Sequence, residues 1–233
     1  MVRAFALLAT LFVGGPANAA CHLALALALD VSSSVDDAEY QLQRDGLASA
    51  LLSENVQDAF FAHPGDWVSL AVYEWSGRYQ HAVVLDWIEI RDPEALFSAA
   101  EKIAAAKRSH SEFPTAMGYA LGYSASLFAK APRCDRATLD VSGDGVNNDG
   151  FAPHLAYSAF PLNNVTVNGL VIGGADPEVQ QFYLSDVIRG PGAFVVLAQN
   201  YHAFEEAMES KLIREIGVMT LGMDTEHLPH GGG

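Results

Sequence analysis

Residues 23–35, LALALALDVSSSV, decide how this chain is read. Seven alternating Leu and Ala residues give way abruptly to Asp30-Val31-Ser32-Ser33-Ser34. A short apolar run bounded by turn residues suits a strand buried on both faces, although Leu and Ala alone suit a helix equally well. The residues that follow decide for the strand. Asp30, Ser32 and Ser34 place a carboxylate and two hydroxyls at every second position, at the mouth of a loop. Oxygen donors of low total charge are what Mg²⁺ prefers, since it keeps several waters and takes few carboxylates. This is the first limb of a metal site.

Outward from this strand, helical and extended patterns alternate. Val35-Asp36-Asp37-Ala38-Glu39 puts acids in a first helical turn, where they suit the helix dipole, and the helix is expected to run to about Phe61. Trp67–Trp75 reads as a strand, and residues 80–90 as its antiparallel partner across a tight link at Ser76-Gly77-Arg78. Asp92-Pro93-Glu94 starts a helix reaching about Ala106. After the polar stretch 107–114, KRSHSEFP, Thr115 opens a helix to Ala129. Its small residues Ala116, Gly118, Ala120 and Gly122 suit close packing on a sheet. Strands follow at Arg136–Val141, Val165–Ile172 and Phe194–Leu197, and helices at Asp176–Arg189 and Ala203–Ile216. Residues 151–162 are ambiguous, with Tyr157 placed on a short helix. The pattern predicts an α/β fold: a doubly wound, mostly parallel central sheet with one antiparallel edge strand and helices on both faces.

Length and composition bound the rest. With 233 residues, half of them hydrophobic, the chain supports one sizeable core. A formal charge of −15 argues against a nucleic acid or an anionic membrane as partner, and favours a cation or basic groups. Such a surface is equally what keeps a protein soluble. Arg3, the apolar run Ala4–Val13 and Ala17-Asn18-Ala19 form a secretory signal peptide over residues 1–19. A lipoprotein signal ending at Cys21 is the alternative, disfavoured by Asn18 where an apolar residue is wanted. No other apolar run approaches the roughly 18 residues a membrane span needs. The expected organisation is a signal peptide at 1–19, one domain at 20–222 and a Pro/Gly-rich disordered tail at 223–233. The expected destination is the periplasm or the exterior.

The two cysteines, Cys21 and Cys134, read as a disulfide in an oxidising compartment, against the alternative of two unpaired thiols. Cys21 lies nine residues before Asp30 and Cys134 ten before Asp144. If these strands are parallel neighbours with their carboxyl ends at one site, both cysteines fall side by side at the opposite edge.

In such folds ligands sit at the carboxyl ends of the strands, near the switch in strand order. Three loops meet there: the first brings Asp30, Ser32 and Ser34, the second Thr115, and the third Asp144 from Ser142-Gly143-Asp144-Gly145. Two carboxylates and three hydroxyls, completed by waters, make an octahedral oxygen site. This set resembles a von Willebrand factor type A domain with its metal-ion-dependent adhesion site. DVSSSVDDAEYQLQRDG and DVSGDGVNNDG are similar to a bacterial group of exported type A-like proteins, a domain family of unknown function. The resemblance covers essentially the whole chain after residue 19. It implies direct ligation of Mg²⁺, with Mn²⁺ or Ca²⁺ as alternatives, by Ser32, Ser34 and Thr115. Asp30 and Asp144 lie close, ligating directly or through water. The family usually carries Gly just before its Thr, whereas this chain has Phe113-Pro114, so Ser109 or Ser111 stands as an alternative third hydroxyl.

The implied function is adhesion: an open position on the cation takes a carboxylate from a protein partner. The plainer reading is that the serines only cap the following helix. A hydrolase or phosphotransferase using Asp30 as nucleophile is the catalytic alternative. Ser32 stands where such enzymes carry a second Asp as general acid, and no Gly-x-Ser-x-Gly elbow is present, so binding is favoured over catalysis. Asn147, Asn148 and Asp149 read as an Asx-rich turn more readily than as a second cation site. The histidines, including His63, His81, His110 and His154, lack HxH or HxxxH spacing, with His110 nearest the site. Trp67, Trp75 and Trp87 read as packing residues.

Overall fold

A computed structural model of the protein describes residues 20–173 and 176–217. The expected signal peptide at 1–19 and tail at 223–233 lie outside the described residues. The strands are β1 (Cys21–Asp30), β2 (Trp67–Trp75), β3 (His81–Ile90), β4 (Arg136–Gly143), β5 (Thr166–Ile172) and β6 (Val195–Ala198). The helices are α1 (Asp37–Leu52), α2 (Glu54–Phe60), α3 (Pro93–Ala104), α4 (Met117–Phe128), α5 (Pro153–Ala159), α6 (Pro177–Phe182) and α7 (Phe204–Gly217). The sheet order is β3-β2-β1-β4-β5-β6. All neighbours pair in parallel except β2 and β3. The chain leaves β1 for β2 on one side and returns to β4 on the other. The strand order therefore reverses between β1 and β4, and the crevice outside their carboxyl ends is the ligand position of this architecture.

The Leu/Ala alternation in β1 is a division of labour between two faces, because side chains in a strand point alternately to either side. Leu23, Leu25, Leu27 and Leu29 share one core with Leu47 and Leu51 of α1, Val56 of α2, Ile103 of α3 and Phe204 and Leu212 of α7. Each contributes roughly 1.5–3 kcal/mol by leaving water. Ala26 and Ala28 enter the other core, with Met117 and Leu121 of α4, Tyr157 of α5 and Tyr183. Alanine suits that face because the neighbouring strands bring the bulk: Ala28 pairs with Tyr73 and Val141, and Ala26 with Leu139.

Local signals set most boundaries. Asp36 caps α1 in a reciprocal capping box with Glu39, and Asp92 and Asp176 cap α3 and α6 ahead of Pro93 and Pro177. The expected single helix to Phe61 divides at Ser53, whose side chain accepts from the Val56 amide and caps α2. The expected helix to Arg189 stops at Phe182 and passes through a π-helical turn, Tyr183–Val187. The backbone of Arg189 instead exchanges hydrogen bonds with Val167, which pulls the chain out of the helix. Gly118 and Gly122 do permit a close approach, but toward Phe151 and Phe160 rather than the sheet. A helical i, i+4 pair shares one face, and the sheet side belongs to Ala120, whose carbonyl accepts from Tyr73 Oη at 3.0 Å.

Cys21 and Cys134 form a disulfide between Cα atoms 4.4 Å apart, closing 113 residues of separation at the amino edge of the parallel β1–β4 pair. The Asp135 amide donates to the Cys21 carbonyl beside it, at 2.9 Å. Under α7, Lys211 is wholly buried, with Nζ 2.8 Å from Asp140 and 2.6 Å from Glu215. Asn168 Nδ2 donates to the same Glu215 oxygen at 2.8 Å. Burial pushes the Asp140 carboxyl up to about 7, with Lys211 pulling it down and Glu215 adding to the rise.

Candidate functional site

The carboxyl end of β1 runs into residues 31–35, whose turn is closed by the Val35 amide donating to Ser32 O at 3.1 Å. Asp30, fully buried at the last position of β1, accepts the Ser32 amide on Oδ1 at 2.7 Å. This bond turns the loop so that alternate side chains face one place. Ser32 Oγ and Ser34 Oγ lie 3.1 Å apart. Ser34 Oγ donates to Asp144 Oδ1 at 2.7 Å, and Thr115 Oγ1 to Ser32 Oγ at 3.3 Å. Five residues read from three separate loops thus converge at the switch point. Ser32 and Thr115 are buried, Asp144 is half-buried and Ser34 is exposed, so the cluster opens to solvent on the Ser34 side.

The serines do not cap α1, because Asp36 does so. Thr115 stands two residues before α4 rather than opening it, and α4 carries no side-chain cap. Its hydroxyl is therefore left to the cluster. Of the alternatives, Ser109 donates its amide to Glu74 at 2.8 Å, and both Ser109 and Ser111 are exposed.

The electrostatics are those of two carboxylates crowded in a site of low solvent access. Burial pushes the Asp30 carboxyl up to about 7, the Asp144 charge adds to the rise, and the Ser32 hydrogen bonds and Arg108 pull it back. Asp30 Oδ2 is buried without a hydrogen-bond partner, as is Tyr183 Oη. Both flank Gly143, where a Cβ would lie within 2.8 Å of each. Among the described residues no cluster of three or more His, Cys, Asp or Glu forms a metal site. The group here differs in kind, with two carboxylates and three hydroxyls. Oxygen donors of this kind suit a hard cation. The oxygen separations here run from 2.7 to 3.3 Å.

A family model described as "Protein of unknown function (DUF1194)" matches residues 20–220. The chain belongs to this family. Among curated proteins none matches its sequence significantly. Several solved structures share its fold. Proximal thread matrix protein 1 of the mussel byssus aligns with a TM-score of 0.60 at 14% identity, over 86% of this chain and 49% of that one. The same protein with a zinc-occupied MIDAS motif aligns at 0.58 and 17%, over 85% and 47%. A von Willebrand factor type A protein from Catenulispora acidiphila aligns at 0.59 and 18%, over 85% and 43%. The pilus adhesin SpaC of Lactobacillus rhamnosus GG aligns at 0.59 and 11%, over 85% and 32%. The fold of this DUF1194 member is therefore that of a von Willebrand factor type A domain. The chain spans less than half the length of each of these proteins.

Three residues act at the site in ways the sequence patterns did not assign: Asn148, read only as part of an Asx-rich turn, Arg108 and Tyr183. Asn148 clamps Thr115 from both sides: its Oδ1 accepts the Thr115 amide at 2.9 Å and its amide donates to the Thr115 carbonyl at 3.0 Å. Next to it, Asn147 Oδ1 accepts the Gly118 amide at 3.2 Å, so the Asx-rich turn is spent on the start of α4. Arg108 donates to the carbonyls of Val31, Ser32 and Val35 and so grips the loop 31–35 from behind. Tyr183 packs beneath Asp30, and burial with the charge of Asp30 holds its hydroxyl well above the usual range. The Asx-rich composition of residues 147–149 was the visible signal for the first. The other two had none, since nothing local to Arg108 or Tyr183 announces a partner more than 70 residues away. Of the histidines, His110 stands edge-on to Phe113 at 5.4 Å, beside Thr115, while His81 stacks on Tyr123 at 4.7 Å and burial lowers its pKa to about 4.

Proposed function

We propose that this DUF1194 member is an exported, metal-dependent protein-binding module that engages a partner carboxylate, with residues 1–19 removed as a signal peptide. The observation that carries the reading is the unbroken series of oxygen contacts from Thr115 through Ser32 and Ser34 to Asp144, at 2.7–3.3 Å. Ser32, Ser34 and Thr115 would hold the ion as neutral ligands, with Asp30 and Asp144 supplying the countercharge. A bound divalent cation, Mg²⁺ with Mn²⁺ or Ca²⁺ as alternatives, would supply an electrophilic position for an Asp or Glu of the partner. The exposed Ser34 side leaves room for that approach. The rim beside Thr115 offers aromatic contact area, with Tyr79 80% and Phe113 37% exposed. Tyrosine at the edge of a polar site is a frequent interface anchor.

The same residues support binding over catalysis. Asp30 is wholly buried, one oxygen held by the Ser32 amide and the other packed against Gly143, so no face is left for attack on a substrate. Arg108 is committed to main-chain carbonyls rather than to a phosphate position. Export accords with the Cys21–Cys134 disulfide. No helix among the described residues is long and apolar enough to cross a membrane.

The test compares wild type with Ser32→Ala/Ser34→Ala in Mg²⁺ and in EDTA. Thermal stability of wild type should rise with added Mg²⁺ by mass action, while the double variant should not respond. Capture of a binding partner from the exported fraction should be lost in EDTA and in the double variant alike. A wild-type protein whose melting temperature ignores all three ions sinks the proposal.

A further inference from the structure

We infer that Arg108 is the positioning residue of the cation loop: its guanidinium gathers the main-chain carbonyls of residues 31–35 on one side and so presents the Ser32 and Ser34 hydroxyls on the other. This inference rests on the binding function proposed above, but the geometry that carries it is independent of any ion. Arg108 Nη2 donates to Val31 O at 3.2 Å, Ser32 O at 3.0 Å and Val35 O at 2.6 Å. Its Nη1 reaches Asp37 Oδ1, at the start of α1, at 3.1 Å. Three carbonyls turned toward one point repel each other unless a donor sits among them. The two N–H groups of Nη2 are shared among the three carbonyls, while the other arm of the planar guanidinium, Nη1, holds Asp37, so one rigid group ties the loop to the start of α1. The side chain is only 10% exposed, so these bonds are little diluted by water.

The base of the clamp is itself fixed. The Ser109 amide donates to Glu74 Oε2 at 2.8 Å, and Tyr40 Oη to Glu74 Oε1 at 2.8 Å. Glu74 is 1% exposed near the end of β2, and the Tyr40 ring lies 5.9 Å from the Arg108 guanidinium. Arg108 is thereby anchored to β2, the sheet neighbour of β1, and to α1, which follows the loop it holds. Its Nε is buried without a hydrogen-bond partner. The charge also bears on the site, since Arg108 draws the Asp30 carboxyl down against the effects of burial and Asp144.

The experiment compares wild type with Arg108→Gln and Arg108→Lys, using Arg44→Gln as control. Arg44 also ties α1 to this segment, through Ala106 O at 3.1 Å, but its other hydrogen bond goes to Asp45 and not to the cation loop. Amide hydrogen exchange of Ser33 and Val35 is measured in EDTA, and Mn²⁺ affinity by titration with paramagnetic detection. Arg108→Gln should speed exchange of both amides at least tenfold and weaken Mn²⁺ by the 10- to 100-fold typical of residues that orient ligands. Arg108→Lys should fall between, and Arg44→Gln should change neither quantity. Unchanged exchange in Arg108→Gln overturns the inference, as does faster exchange with Mn²⁺ affinity within twofold of wild type. Should Arg108→Gln fail to fold, the decision passes to Arg108→Lys, where wild-type exchange and affinity overturn the inference. If wild type itself binds no Mn²⁺, the proposed function falls, and the exchange arm alone decides whether Arg108 positions the loop.

Discussion

Placing a methyl group at Gly143 tests the packing beneath the candidate site. A Cβ added there lies 2.7 Å from Tyr183 Oη and 2.8 Å from Asp30 Oδ2, whereas ordinary contact begins at 3.4 Å. Each oxygen must therefore give way by roughly 0.6 Å, and overpacking of this kind costs about 1–3 kcal/mol. The backbone adds nothing to the cost, because Gly143 is not among the glycines with positive φ. Neither oxygen is on a slack side chain: Asp30 and Tyr183 are fully buried, and Asp30 Oδ1 is tied to the Ser32 amide at 2.7 Å. Tyr183→Phe removes the nearer oxygen. Alone it should be neutral or stabilising, since a buried hydroxyl without a partner costs about 1–3 kcal/mol. In combination it should return part of the Gly143→Ala loss, a coupling of about 0.5–1.5 kcal/mol. Urea unfolding of the four proteins in EDTA measures each corner of the cycle. Mn²⁺ titration should also show weaker binding by Gly143→Ala, because Asp30 is the group displaced. A Gly143→Ala protein within about 0.5 kcal/mol of wild type, or two effects that simply add, would refute the packing argument.

Three further outcomes are expected. Cys21→Ser/Cys134→Ser should lose roughly 4–5 kcal/mol, the loop-closure entropy of a cross-link of this span, read as a lower denaturant midpoint that reduced wild type shares. Asn148→Ala should cost about 0.5–1.5 kcal/mol by leaving the Thr115 amide without its acceptor, and should weaken Mn²⁺ binding while the signal of the distant Trp67 side stays native. The Asp140 carboxyl is raised from 3.8 to about 7, so the stability it contributes is complete below 3.8 and is lost as pH rises toward 7; Asp30 acts in the same direction. In EDTA, Asp140→Asn should therefore show a shallower fall in unfolding free energy between about pH 4.5 and 7 than wild type, by up to roughly 1.4 kcal/mol per pH unit. Parallel pH profiles would contradict the assignment.

The convergence of the candidate residues was legible because their pattern is written in short stretches. Asp30, Ser32 and Ser34 alternate within five residues, and Asp144 ends a strand in Gly-Asp-Gly. Alternating strand and helix signals ordered the chain, and the hairpin link at Ser76–Arg78 identified the antiparallel edge. Near-equal spacing of Cys21 and Cys134 from their strand ends anticipated the cross-link between parallel neighbours. Boundaries were missed where a contact from elsewhere took over: Arg189 leaves its helix for Val167, and Ser53 spends its hydroxyl on a second helix.

By itself, then, the sequence determined the residue types, the periodicities and the order of elements, all of which depend on neighbours a few positions apart. Tertiary structure alone decided that Arg108 grips a loop more than 70 residues earlier, that Asn148 holds Thr115, and that Tyr183 packs under Asp30. It also decided which face of β1 takes leucine and which takes alanine, since that depends on the bulk of Tyr73 and Val141 on the adjoining strands. The physical reason is common to all four. Hydrogen-bond direction and packing volume act between side chains brought together by the sheet, and no local pattern along the chain encodes which distant partner will arrive.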